Sequence, residues 1–92
     1  MWGNKVEVER KNRIKLAMAA YAYEIDNHSI MSDSEYDKLS LKIRPEIDTG
    51  DVVLDPFFRE KFEPDTGQWI HDYPKERLEK LSVIYRAVYG RK

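Results

Sequence analysis

A chain of 92 residues forms one domain that buries only about 60 to 65% of its unfolded surface, which leaves little room for a deep active site. Its net charge of -1, with 36% charged residues of both signs, excludes the one-sided positive field of a dedicated nucleic-acid binder. The absence of cysteine excludes disulfides, thiol catalysis and thiolate zinc sites. No apolar stretch approaches the roughly 18 residues of a membrane span, so a cytoplasmic protein is expected.

From Lys5 to Asp26 the apolar residues Ile14, Ala17, Met18, Tyr21 and Ile25 fall on one stripe of a helix. Asn27, His28 and Ser29 then favour a turn. Ser32 followed by Glu35 is a capping box that starts a second helix, with Tyr36, Leu39 and Ile43 as its buried stripe and Pro45 as its stop. Residues 5–44 should therefore form an antiparallel helical hairpin. Thr49 and Gly50 mark a turn, and Asp55 before Pro56 reads as the N-cap of a short helix carrying Phe57, Phe58 and Phe62. The segment from Gln68 to Tyr73 fits either a loop or a strand. After Pro74, Leu78, Leu81, Tyr85 and Val88 predict an amphipathic helix that ends at Gly90. The expected fold is all-α: a single domain over residues 1–92, with about four helices.

Charge divides along the chain. Lys5, Arg10, Lys11, Arg13 and Lys15 make the start basic, while Glu46, Asp48, Asp51, Asp55, Glu60, Glu63 and Asp65 make the middle acidic. Arg10, Lys11, Arg13 and Lys15 are the candidates for phosphate contacts, with Trp2 as a stacking partner, although the acidic remainder opposes nucleic-acid binding. Catalytic signatures are missing. His28 and His71 lack metal-ligand spacing, and neither a serine-nucleophile motif nor a phosphate-cradling glycine loop is present. No metal, cofactor or enzymatic activity is expected.

Tyr21, Tyr23, Glu24 and then Asp33, Glu35, Tyr36, Asp37 and Leu39 surround one helix-turn-helix corner. Two aromatic faces with carboxylates could hold a flat, partly cationic ring; equally, the tyrosines could be core and the aspartates could be helix-start residues. These residues resemble the N-terminal helical domain of NAD-dependent DNA ligases, whose YxYH and DxEYDxL segments stand at the same spacing. The resemblance implies recognition of nicotinamide mononucleotide or NAD by Tyr23, Asp33, Tyr36 and Asp37. Glu24 stands where the family has histidine, which places a carboxylate near the expected nucleotide phosphate. The ligase catalytic domain has no counterpart, since no KxDG motif is present.

The whole chain also resembles short ligase-related proteins of bacteriophages that share the string Pro64, Thr66, Gly67, Trp69 and Ile70. That resemblance implies a small phage protein acting in the cytoplasm of a bacterial host. The first functional expectation is a non-catalytic protein that docks on a host protein of replication, repair or defence and inhibits or modifies it. Its docking surface is expected at Trp69, His71 and Tyr73 with the acidic middle, because aromatic anchors near element ends make binding hot spots. The alternative is a stand-alone nicotinamide mononucleotide or NAD module at the hairpin; a nucleic-acid accessory role ranks third.

Overall fold

The computed structural model describes residues 4–90; Trp2, expected as a stacking partner, lies outside them. The order is α1 (Lys5–Glu24), α2 (Asp33–Ser40), α3 (Leu54–Glu60), a short 3-10 helix (Gln68–Asp72) and α4 (Lys75–Tyr89). The domain is small and all-α, as the periodicities predict. α1 is the central element, because α2, the 3-10 helix and α4 all pack on it. Among the described residues no helix is long and apolar enough to cross a membrane.

Asn4 caps α1 by accepting the Glu7 amide at 3.0 Å. The inward face is rotated from the expected stripe: Ala17 is buried and Met18 and Tyr21 pack on the core as expected, but the two isoleucines do not. Ile14 and Ile25 are 41% and 42% exposed, and the row packed inward is Glu9, Arg13, Leu16, Ala17 and Ala20. This row keeps helical spacing but begins with two charged residues, so the apolar pattern alone could not locate it. Arg13 donates from Nε to Glu9 at 2.6 Å and from Nη1 to Asp55 at 2.7 Å. Its Nη2 reaches the carbonyls of Arg44 at 3.3 Å and Ile47 at 3.2 Å. The guanidinium also lies 4.8 Å from the Phe58 ring centroid, a cation–π contact.

This network explains two departures from expectation. α2 begins with the predicted capping box, Glu35 N to Ser32 Oγ at 3.1 Å and Ser32 N to Glu35 Oε1 at 2.9 Å. It ends at Ser40, well before Pro45, because Lys42 and Ile43 donate to the carbonyls three residues back and Glu9 takes the Arg44 amide at 3.0 Å. Asp55, in turn, is not the cap of α3. The helix starts at Leu54, two residues before the expected Pro56, and Asp51 accepts the amides of Val53 at 3.0 Å and Leu54 at 2.9 Å. Asp55 is buried instead, where it binds Arg13 and accepts both the Thr49 amide at 3.0 Å and the Thr49 hydroxyl at 2.7 Å. The turn before it closes at Gly50, whose φ of 85° suits glycine.

The segment from Gln68 to Tyr73 is neither strand nor loop. As a 3-10 helix it sets Trp69 and Tyr73 against the α3 phenylalanines. Phe62 and Trp69 pack with centroids 5.1 Å apart, and Phe57 and Tyr73 meet edge to face at 5.2 Å. Leu81 and Tyr85 of α4 are buried as predicted, while Val88 is 61% exposed. The Tyr85 ring packs at a tilt against Tyr21, centroids 5.2 Å apart, and its hydroxyl donates to Asp26 at 2.7 Å, which ties α4 to the end of α1.

Arg13→Ala removes the cation between two buried carboxylates and is expected to cost about 3–5 kcal/mol; urea unfolding followed by circular dichroism measures it, and a loss below about 1 kcal/mol would contradict a central role. Burial alone would raise the Asp55 carboxyl, but hydrogen bonds from Thr49 and Arg13 outweigh it and hold the group well below its ordinary value of 3.8. A depressed carboxyl stabilises the fold above the unfolded value, and the contribution is lost as pH falls below it. Stability should therefore drop between pH 4 and strong acid (about pH 2), and Asp55→Asn should flatten that drop. Burial also pushes the Tyr73 hydroxyl up to about 12, so alkaline unfolding should set in as pH rises past 10, with Tyr73 absent from the phenolate absorbance of the folded protein at pH 11.

Candidate functional site

The hairpin corner is a cleft of about 350 Å³, and all five hairpin residues singled out in the sequence line it: Tyr23, Glu24, Asp33, Tyr36 and Asp37. Local structure accounts for the convergence. Tyr23 and Glu24 close the last turn of α1, and the left-handed Asn27 (φ 53°) reverses the chain. The capping box then starts α2, so Asp33, Tyr36 and Asp37 share the helical face turned to the corner. Ile30 and Met31 from the connection add apolar wall, and Ala20 contributes a small side chain from the neighbouring turn of α1.

A third side comes from a part of the chain that the hairpin pattern does not include. Asp65, Thr66 and Gly67 complete the cleft. A Cβ on Gly67 would touch the Tyr36 hydroxyl at 3.4 Å and Cγ of Glu24 at 3.6 Å, so the backbone here runs close against the cleft walls. The Tyr36 hydroxyl donates to the Thr66 carbonyl at 3.1 Å and accepts from Trp69 Nε1 at 3.2 Å. Residues expected to serve two separate sites thus belong to one structure: Trp69 positions the ring of Tyr36.

The two tyrosines differ in role. Tyr23 is 65% exposed, with its ring accessible. Tyr36 is half-buried with its hydroxyl engaged on both sides, and burial raises its pKa, opposed by the hydrogen bond from Trp69. Four carboxylates, Glu24, Asp33, Asp37 and Asp65, surround these rings. Among the described residues no cluster of acidic or histidine side chains is arranged to hold a metal ion, so the four supply a diffuse negative potential. Glu24 is held in place by His71, whose Nε2 lies 3.1 Å from its Oε1. The pair is a hydrogen bond when the imidazole is neutral and an ion pair when it is protonated.

The expected protein-docking surface is corrected. Trp69 and Tyr73 are buried, 3% and 6% exposed, because the small core needs both rings to complete the α3 phenylalanine cluster; only His71 remains at the surface. Of the expected phosphate-binding row, only Arg13 is withdrawn, because it is buried among carboxylates; Arg10, which donates to the Thr49 carbonyl, Lys11 and Lys15 stay exposed.

Sequence reasoning missed the Asp65–Gly67 wall and the buried network of Glu9, Arg13, Thr49 and Asp55. The spacing of Glu9 and Arg13, one helical turn apart, was a signal for part of it. No family model, no curated protein and no solved structure matches this chain.

Proposed function

We propose that the protein is a non-catalytic binding module whose hairpin cleft takes a flat, positively charged ring. The nicotinamide ring of nicotinamide mononucleotide or NAD is the ligand class that joins this geometry to the ligase resemblance. The observation that carries the reading is the convergence of Tyr23, Tyr36 and four carboxylates on one cleft of about 350 Å³. That volume lies within the roughly 300 to 1,000 Å³ of small-molecule sites. An aromatic face attracts a cation through its quadrupole, and the carboxylates add to the attraction.

Recognition rather than catalysis agrees with where the perturbed groups lie. Asp51, Asp55 and Tyr73 are shifted by structural contacts away from the cleft, and the shift of Tyr36 at the cleft comes mainly from burial. General acid–base sites instead concentrate such shifts on groups aimed at substrate. The negative potential also grades the ligands. A phosphate near Glu24 meets like charge, so nicotinamide mononucleotide must turn its phosphate outward to water. A phage protein working in the cytoplasm of a bacterial host remains the setting that the resemblance suggests.

Isothermal titration with N1-methylnicotinamide, which has the cationic ring and no phosphate, and with nicotinamide mononucleotide tests this directly. Both should bind, the first more tightly. Tyr23→Ala should weaken both by about tenfold, the cost of a cation–π contact of roughly 1 to 2 kcal/mol. Glu24→Gln should favour the mononucleotide relative to N1-methylnicotinamide. No heat from either compound at millimolar concentration would overturn the reading.

A further inference from the structure

The apolar stripe that sequence assigns to the interior of α1 is partly left outside, and a second helix adds to it. Ile14 on α1 and Ile84 on α4 are 41% and 43% exposed, and they face one groove together with Leu54 and the buried Leu81. Val88, one helical turn beyond Ile84, is exposed as well. The groove shares no residue with the hairpin cleft.

We propose that this groove between α1 and α4 docks an acidic, amphipathic helix of a partner protein. Its volume of about 210 Å³ falls below the roughly 300 Å³ of small-molecule sites and suits an anchoring side chain from a helix laid along it. The rim decides the chemistry of the partner. Arg10, Arg77 and Lys80 line the groove against a single carboxylate, Asp51, while the fourth cation, Arg13, is neutralised by Glu9 and Asp55. Arg10 is fixed by its bond to the Thr49 carbonyl and Arg77 by its ion pair with Asp51. A guanidinium carries five N–H donors, so both arginines are held in place and keep donors for an incoming carboxylate.

An apolar floor with a basic rim is complementary to a helix that presents leucine or phenylalanine between glutamates and aspartates. A phosphate backbone would satisfy the rim and leave Ile14 and Ile84 uncovered. Orientation by charge and anchoring by apolar burial are separate contributions, so they can be removed separately.

Selection of random displayed peptides on the full chain, followed by fluorescence anisotropy of the enriched sequences, tests the proposal. The expected consensus is net negative, with two large apolar residues three or four apart. Ile84→Asp and Ile14→Asp should each weaken binding at least about tenfold. Lys80→Glu should weaken it and flatten its loss with salt, since less attraction is left to screen, and all three variants should keep the wild-type helical circular dichroism because they change surface positions. The proposal is overturned by no enrichment or by peptides that lack the apolar pair or the acids. Binding indifferent to Ile84→Asp also overturns it, as does a homodimer in sedimentation that Ile84→Asp dissolves, or a duplex-DNA gel shift lost with Lys80→Glu but kept with Ile84→Asp.

Discussion

A guanidinium removed from water must find acceptors within the protein, and at Arg13 that requirement organises the fold. The residue is 3% exposed and is met by two buried carboxylates from different parts of the chain, those of Glu9 at 2% and Asp55 at 4%. Two further acceptors are backbone carbonyls of Arg44 and Ile47, so the bonds run into the segment between α2 and α3, which has no helix of its own. Glu9 adds the Arg44 amide, and Asp55 adds the amide and hydroxyl of Thr49. Such a network adds little net stability compared with apolar residues of the same volume, yet removal of one member strands the others. Its effect is specificity: it sets where α2 stops, which face of α1 is inward and how α3 is docked.

On the other side of α3, aromatic packing performs the complementary task. Phe57, Phe58, Phe62, Trp69 and Tyr73 form one cluster with ring centroids 5.1 to 6.4 Å apart. A domain of this length has few elements with which to bury apolar surface, so large rings supply much of the core. The 3-10 helix exists to deliver Trp69, Ile70 and Tyr73 to that core from a very short segment. It also connects core and cleft: the indole of Trp69 bonds the hydroxyl of Tyr36. The geometry of the candidate site therefore depends on the packing behind it, and Tyr23, which is held less, is the adaptable wall.

The two concave surfaces have opposite characters. The hairpin cleft combines aromatic faces with four carboxylates, whereas the α1–α4 groove combines aliphatic side chains with a basic rim. With a net charge of -1 the protein separates its charges in space, which gives each surface a sign that the total conceals.

The elements with local causes were legible in sequence. The capping box at Ser32 and Glu35, the turn at Asn27, the α4 residues Leu81 and Tyr85, and the gathering of Tyr23, Glu24, Asp33, Tyr36 and Asp37 at one corner follow from contacts within a few residues or across one short connection. What only the tertiary structure decided involves residues far apart in the chain. Asp55 looked like a helix cap because Pro56 follows it, but a buried cation 42 positions earlier claimed its carboxylate. Trp69 and Tyr73 looked like exposed anchors because they stand near element ends, but the phenylalanines of α3 needed partners. Ile14 looked like core because apolar spacing cannot reveal that Glu9 and Arg13 would turn inward together. In each case a long-range pairing, electrostatic or aromatic, outweighed a local preference worth about 1 kcal/mol, and no pattern along the chain encodes which distant partner will arrive.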